Sequence, residues 1–142
     1  MKDRSFIDTN LFVYASGQQG REKGNLSLAL IRTLLANRTG VISFQVIQEF
    51  FNVALKKFSP PYSTEDAHTQ MVEIFQPLIV VHSSMRLYTD ATEIFVRHKL
   101  SWYDSLLVAA AAEAGCSVLY TEDMQHGTTI RGVRIVNPFL TN

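Results

Sequence analysis

The sequence is poor in cysteine, in proline and in net charge. Its 142 residues include one cysteine and four prolines, and 13 Lys and Arg residues balance 13 Asp and Glu residues. A single cysteine excludes an intrachain disulfide and a zinc site built from cysteines, and we expect Cys116 to be a small core residue. Zero net charge excludes a uniformly basic nucleic-acid binder, so any contact with RNA must come from local basic groups.

Long apolar runs are also missing. The first ten residues contain no apolar signal-peptide core, and no apolar run reaches the length of a membrane span. We therefore expect a cytoplasmic protein. Hydrophobic residues still make up 46% of the chain, which is enough for one core and excludes a disordered chain. The length predicts a single domain over residues 1–142.

Apolar residues alternate between the spacing of strands and that of helices. Strand-like runs occupy residues 5–7, 41–43, 78–81, 118–120 and 133–136. Helical spacing is found over residues 24–38, 47–58, 64–75, 84–98 and 101–114, while residues 8–10 are interpreted as a turn. Strands separated by helices predict an α/β fold with a parallel sheet and helices on both faces.

Four of the thirteen acidic residues occupy positions that are unusual for a solvent-exposed charge: Asp8, Glu49, Asp104 and Asp123. Asp8 and Asp123 each follow a predicted strand, and ligands bind beyond the carboxyl ends of parallel strands. Glu49 lies in a strongly apolar helix, where a carboxylate is costly to bury without a partner, although taken alone it could be the polar edge of that helix. Asp104 lies at the start of the predicted helix over residues 101–114. The strand that follows this helix ends just before Asp123.

Local explanations compete with a functional one. Asp8 could cap the following helix, although Thr9 or Asn10 could do so instead. Asp104 could complete a capping box as readily as it could bind a metal. Glu122 competes with its neighbour in sequence for any role at the last acidic position.

Together the four acids indicate a metal site. Several carboxylates in one dry site cannot all stay ionised unless a cation offsets their repulsion. Oxygen ligands without His or Cys favour Mg²⁺ or Mn²⁺ over zinc, and the matching chemistry is phosphodiester hydrolysis. We predict that Asp8 and Asp104 bind the metal most directly. Glu49 and Asp123 would complete its shell, through water or as a general base.

Four short motifs carry these acids in a characteristic order. They are Phe6-Ile7-Asp8-Thr9-Asn10-Leu11, Gln48-Glu49-Phe50, Trp102-Tyr103-Asp104-Ser105-Leu106 and Leu119-Tyr120-Thr121-Glu122-Asp123. In order and spacing they resemble the PIN-domain nucleases, and residues 133–139 are similar as well. Within that family the sequence is most similar to the VapC-type toxins of bacterial toxin–antitoxin pairs.

The resemblance implies a three-layer α/β/α sandwich with a central parallel sheet of four to five strands. It implies a Mg²⁺- or Mn²⁺-dependent endoribonuclease that forms a homodimer. The expected partners are an RNA substrate and a small antitoxin whose C-terminal segment occupies the active-site groove. Asn10 and Thr121 match polar positions that support the acidic cluster.

A contact for RNA and two alternative functions complete the predictions. Lys56 is seven residues after Glu49, two helical turns along one face, and could either meet a phosphate or remain a solvated surface charge. An aspartyl phosphotransferase or receiver-like protein would use Asp8 as nucleophile, but relatives of haloacid dehalogenases need a second Asp where this chain has Asn10. They also need a Lys near the later strands, and residues 100–142 contain none.

A PIN-fold RNA-binding or processing module without a toxin role is the other alternative. A catalytically silent module predicts the loss of one or more acids, and all four are present.

Overall fold

The computed structural model of the protein describes residues 3–18 and 20–140. Within them, one sheet contains the strands Arg4–Ile7 (β1), Gly40–Ser43 (β2), Ile79–Val81 (β3), Cys116–Tyr120 (β4), Thr129–Ile130 (β5) and Val133–Val136 (β6). The spatial order is β3-β2-β1-β4-β6-β5. All neighbours pair in parallel except β5, which runs antiparallel to β6. The five predicted strands are thus confirmed, whereas β5 was missed because two residues show no periodicity.

Helices flank this sheet and confirm the predicted α/β sandwich. Their bounds are Thr9–Ala15 (α1), Arg21–Asn37 (α2), Phe44–Ala54 (α3), Thr64–Thr69 (α4), Met85–His98 (α5) and Trp102–Glu113 (α6). A π-helical segment, Gln70–Phe75, continues α4. The helix α1 packs against α2 and α3, and α5 packs against α6. In the described part of the chain, no helix is long and apolar enough to cross a membrane.

The first helix begins where a turn was expected. Asp8 has extended backbone angles (φ −74°, ψ 158°), and its carboxylate accepts a hydrogen bond from the amide of Thr9. The cap therefore lies at Asp8, not at Thr9 or Asn10, and α1 starts directly after β1. Most of α1 is buried, so its apolar residues form a continuous run without the polar face that marks an amphipathic helix.

The third helix is shorter than predicted. It ends at Ala54, whose carbonyl accepts a hydrogen bond from the amide of Tyr62 (2.9 Å) as the chain folds back. Phe58 is still only 3% exposed, because the turn after α3 returns this ring to the core. Lys56 lies exposed in that turn. Contrary to the prediction, Lys56 therefore does not share a helical face with Glu49.

The last helix and the strand after it follow the prediction closely. Ser101 caps α6, and its hydroxyl accepts a hydrogen bond from the amide of Asp104 (3.1 Å). The helix stops before Gly115, which has φ +71°, a conformation that favours glycine. Cys116 then opens β4 as a buried core residue, and burial raises the pKa of its thiol to about 12.

The order of the strands creates a crevice at the centre of the sheet. The chain proceeds from β1 to β2 and β3 on one side, and later places β4 and β6 on the other side. The strand β1 thus lies at the point where the order reverses. In open α/β sheets, the carboxyl ends of the strands at such a point form the ligand-binding crevice. Asp8 and Thr121 each directly follow one of the two strands at this point, β1 and β4.

Candidate active site

A cavity of about 160 Å³ opens at this end of the sheet. All four predicted acids line it: Asp8 after β1, Glu49 from α3, Asp104 from the first turn of α6, and Asp123 from the loop after β4. Residues separated by up to 115 positions in sequence are therefore brought to one cavity. The other lining residues are Thr9, Asn10, Val13, Gln45, Val53, Tyr103 and Leu107.

Asp8 is the most buried of the four acids, with 4% of its surface exposed. One carboxylate oxygen accepts from the amide of Thr9 (2.6 Å), and the other accepts from the hydroxyl of Thr121 (2.7 Å). Burial raises the pKa of Asp8 to about 7, with smaller contributions from the charges of Asp123 and Glu49. Capping a helix and lining the cavity are therefore not alternatives at this residue, because Asp8 does both.

Glu49 is partly buried on the cavity side of α3. Its carboxylate accepts a hydrogen bond from the hydroxyl of Thr9 (3.1 Å). Burial raises the pKa of Glu49, and the negative charges of Asp104 and Asp123 raise it further. The hydroxyl of Thr9 and the amide of Gln45 act in the opposite direction. Glu49 thus belongs to the same electrostatic cluster as the other acids.

Asp104 and Asp123 complete the cluster. Burial raises the pKa of both carboxyls, and the charge of Asp104 raises the pKa of Asp123 further. The Ser101 hydroxyl acts in the opposite direction on the pKa of Asp104. The amide of Asp104 donates to Ser101 in the cap of α6, and Asp104 also lines the cavity, so this residue takes part in both.

The two predicted supporting residues both contact predicted acids. The side-chain amide of Asn10 donates to a carboxylate oxygen of Asp123 (3.3 Å). Thr121 is fully buried, and its hydroxyl donates to Asp8 while accepting from the amide of Asp123 (3.1 Å). Thr121 therefore links the acid after β1 to the loop after β4.

The neighbouring acids Glu122 and Asp123 have different surroundings. Glu122 forms an ion pair with Lys23 (2.8 Å) and accepts a hydrogen bond from the hydroxyl of Tyr14. Although burial raises the pKa of Glu122, the Lys23 ammonium and the Tyr14 hydroxyl outweigh it and lower the pKa overall. Asp123, and not Glu122, lines the cavity. The structure thus separates two acids between which the sequence could not choose.

A family model supplies the decisive comparison. The model described as "PIN domain" matches residues 5–127, which is most of the chain. The chain belongs to the PIN domain family. The matched region contains all four acids and both of their supporting residues. Comparison with curated proteins finds no match.

Solved structures share this PIN fold at low sequence identity. A toxin–antitoxin complex from Klebsiella pneumoniae is 17% identical with a TM-score of 0.71, and the match covers 95% of this chain and 98% of the other. The Mycobacterium tuberculosis toxin VapC20, described as cleaving the sarcin-ricin loop, is 20% identical with a TM-score of 0.61 over 84% and 89% of the two chains. VapBC2 from Rickettsia felis, bound to a DNA fragment from its promoter, is 17% identical with a TM-score of 0.64 over 92% and 96%. At these identities the likeness shows the fold.

Six lining residues of this PIN domain were not predicted as site residues, and three of them, Thr9, Gln45 and Tyr103, make polar contacts. Thr9 was considered only as a cap, yet its hydroxyl bonds Glu49. Gln45 lies one helical turn before Glu49, a spacing that could have indicated its place on the same face. The carbonyl of Tyr103 accepts a hydrogen bond from the side-chain amide of Gln45 (3.2 Å), and no sequence pattern indicates this contact.

The donor set of the PIN domain suits a hard divalent cation that keeps some of its water. In the described residues, no three Asp, Glu, His or Cys side chains are grouped closely enough to hold a metal ion by themselves. Mg²⁺ usually binds through one or two carboxylates and retains several waters, which an acid-lined cavity of this size accommodates. The mutual repulsion of the acids also favours a bound cation.

Proposed function

We propose that this PIN domain is a Mg²⁺- or Mn²⁺-dependent endoribonuclease and the toxin component of a toxin–antitoxin pair. The observation that carries the proposal is the convergence of four carboxylates on one cavity, where burial raises the pKa of all four and the charges of neighbouring acids raise it further for Asp8, Glu49 and Asp123. Carboxylates held in this way favour a bound cation, and that cation would attract a phosphate. The resemblance to PIN-domain nucleases supports the same reaction, hydrolysis of an RNA phosphodiester.

Each acid has a proposed role. Asp8 and Asp104 would hold the cation most directly, and Thr121 orients Asp8 through its 2.7 Å hydrogen bond. Glu49 and Asp123 bind through water or accept a proton from the attacking water. A bound Mg²⁺ or Mn²⁺ would supply charge neutralisation at the phosphate and a water of lowered pKa.

The first test is RNA cleavage with and without Mn²⁺, comparing the wild type with Asp8→Asn. We expect cleavage to require the metal and to stop on addition of EDTA. Asp8→Asn keeps the shape of the side chain but loses a negative charge in the cavity. It should lower kcat/KM by about a hundredfold or more, because metal catalysis contributes several kcal/mol.

A matched control separates loss of this charge from loss of any charge. Glu113→Gln removes an exposed carboxylate at the far end of α6 from Asp104, and it should cleave like the wild type. Cleavage without metal, or full activity of Asp8→Asn, would overturn the nuclease proposal.

The toxin role adds two protein partners, an antitoxin and a second copy of the chain. An open apolar groove of about 410 Å³ between α3 and the helix that starts at Thr64 suits an amphipathic helix, and Phe51, Leu55 and Met71 line it. A similar structure from Klebsiella is a toxin–antitoxin complex. This groove supports an antitoxin that binds through an amphipathic helix.

The partner proposals have their own tests. Induction of the chain should arrest growth of the host cell, and the product of an adjacent short reading frame should restore growth and co-purify. Sedimentation of the purified chain should give the mass of a dimer. Cleavage without growth arrest would favour the alternative, an RNA-processing module without a toxin role, and a monomer mass would remove the homodimer.

A further inference from the structure

Tyr103 is an exposed aromatic residue at the acidic cavity. It is the second residue of α6, it directly precedes Asp104, and it is one of the residues that line the cavity. Its surface is 62% exposed, whereas the neighbouring ring of Trp102 stacks on Tyr88 with 6.5 Å between the ring centroids. Tyr103 therefore offers a large, solvent-accessible side chain next to the acids.

The helical spacing of α6 places Tyr103 on the cavity side of this helix. Leu107 lies one turn later, at the i+4 position, and it also lines the cavity, although only 3% of its surface is exposed. Side chains of an α-helix lean toward its N-terminus, so Tyr103 lies on the same face as Leu107 but nearer to solvent. Leu107 thus belongs to the inner wall of the cavity, and Tyr103 borders its opening.

The backbone of Tyr103 is held firmly. Its carbonyl accepts a hydrogen bond from Nε2 of Gln45 (3.2 Å), and the hydroxyl of Ser101 caps the same turn through the amide of Asp104 (3.1 Å). A tyrosine side chain has only two torsions to fix, so a ring on a fixed turn binds a flat ligand at a low cost in conformational entropy.

The lining of the cavity attracts RNA poorly without a cation. It contains four acids and, among the residues that the structure describes, no Lys, Arg or His, and Tyr103 is its one aromatic residue. Because one water takes up about 30 Å³, a cation with several waters fills most of a cavity of about 160 Å³ and leaves the bases of a bound RNA at the opening. Aromatic side chains bind such bases by stacking, whatever their sequence.

We infer that Tyr103 stacks on an unpaired base beside the scissile phosphate and makes single-stranded RNA the preferred substrate class. Bases in a duplex are paired and stacked on each other, whereas bases in loops and single strands can turn a face to an aromatic ring. The inference rests on the proposed function for the identity of the ligand. It gives Tyr103 a role in RNA binding and none in metal binding.

The test measures binding of a fluorescently labelled single-stranded RNA of mixed sequence, with Mn²⁺ present. Asp8→Asn serves as the parent protein, so that cleavage is slow. Adding Tyr103→Ala should weaken binding by about 5- to 150-fold, because it removes a stacking surface. Tyr103→Phe keeps the ring and should bind like the parent. Phe95→Ala is the matched control, because it removes another exposed ring, on α5, that does not line the cavity.

The choice of RNA and of substitution shows what the ring contacts. A duplex of the same sequence should bind the parent and Tyr103→Ala equally; a loss as large as for the single strand would indicate a contact with the RNA backbone and overturn the inference. Equal losses in Tyr103→Ala and Tyr103→Phe would assign the contact to the hydroxyl and exclude stacking. Unchanged binding of the single strand by Tyr103→Ala also overturns it, and loss of only the antitoxin would then show that the ring contacts protein.

Two measurements in the wild-type background separate RNA binding from other roles. Tyr103→Ala should keep the Mn²⁺ affinity and the melting temperature of the wild type while its KM for RNA rises more than its kcat falls. A drop in Mn²⁺ affinity or melting temperature as large as the drop in RNA binding would overturn the inference. A wild type that binds single-stranded RNA through Tyr103 but does not cleave it overturns only the nuclease proposal. Normal cleavage and binding by Tyr103→Ala overturn only the inference.

Discussion

Asp8 combines a structural and an electrostatic role within one side chain. It caps α1 and is linked through Thr121 to the loop after β4, so its geometry is held from both sides. Its position after β1 also buries it almost completely, and burial raises its pKa to about 7. The same contacts that stabilise the fold thus hold a carboxyl group whose ionisation is disfavoured by burial, and a nearby cation would favour its ionised form.

This raised pKa predicts how the stability of the metal-free protein depends on pH. The native state keeps a proton on Asp8 up to about pH 7, whereas the unfolded chain releases it near the ordinary pKa of 3.8. The free energy of unfolding should therefore decrease as pH rises from about 4 to about 7, by up to about 4 kcal/mol from this group. Asp8→Asn cannot ionise, so it should be more stable than the wild type at pH 8 and lose much of this slope.

Urea unfolding in EDTA between pH 4 and pH 8 measures the effect. Glu113→Gln, which removes an exposed carboxylate, should keep the slope of the wild type. Equal slopes for the wild type and Asp8→Asn would contradict the assignment of the raised pKa to Asp8.

Two helix caps differ in what their acids do. At α4, the hydroxyl of Ser63 and the carboxylate of Asp66 bond each other's amides and form a complete capping box. At α6, the hydroxyl of Ser101 accepts from the amide of Asp104 in the same way, but the described residues show no return bond from the Ser101 amide to the Asp104 carboxylate, and Asp104 lines the cavity. The two start alike in sequence, as Ser-x-x-Asp, so the pattern predicts both helices without indicating which acid belongs to a site.

This difference predicts the outcome of two alanine substitutions. Ser101→Ala and Ser63→Ala should each lower the free energy of unfolding by about 1 kcal/mol, because each removes an N-cap hydrogen bond. Only Ser101→Ala should also weaken Mn²⁺ binding, since it loosens the first turn that holds Asp104. Chemical denaturation and calorimetry measure the two effects. Equal Mn²⁺ affinity in both variants would show that the cap does not influence the site.

Charge is unevenly distributed over the whole molecule. Residues 1–99 contain eleven Lys and Arg residues and nine acids, while residues 100–142 contain two and four. The zero net charge therefore results from a surplus of bases in residues 1–99 and a surplus of acids in residues 100–142. Four of the thirteen acids line one cavity. A bound divalent cation would offset part of that negative charge where a phosphate must approach, and binding of the remaining RNA would depend on nearby basic side chains.

Lys56 remains our prediction for such an RNA contact, now for a different reason. It is exposed in the turn after α3, and its amide donates to the carbonyl of Val53 (3.3 Å), a residue that lines the cavity. Lys56→Glu should lower the rate of RNA cleavage severalfold at low salt, because it replaces attraction to a phosphate with repulsion. Its Mn²⁺ affinity should stay that of the wild type.

The control for this charge reversal lies at the opposite end of the strands. Arg38 precedes β2, at the amino end of the strands, so Arg38→Glu makes the same change in charge far from the cavity. It should leave cleavage near the wild-type rate. Cleavage by Lys56→Glu that equals that of Arg38→Glu would exclude a local contact.

Local sequence determined most of the elements and the order in which they bring acids to the site. Asp8 and Asp123 could be predicted because each follows an apolar strand, and the ends of parallel strands meet at one edge of the sheet. The end of α6 could be predicted from Gly115, since that conformation favours glycine. These features depend on backbone geometry and on apolar spacing within about ten residues.

Tertiary structure alone decided the features that depend on contacts between distant segments. Glu122 binds Lys23 and Tyr14, whereas Asp123 lines the cavity. No sequence pattern near the two acids indicates this difference between them. The bond from Gln45 to the carbonyl of Tyr103 spans 58 positions, and the buried oxygen that it leaves unpaired follows from packing. The sequence thus determined which acids approach the site, and the packing of α3, α6 and the strand ends decided how they are held, because burial and hydrogen bonding depend on the whole fold.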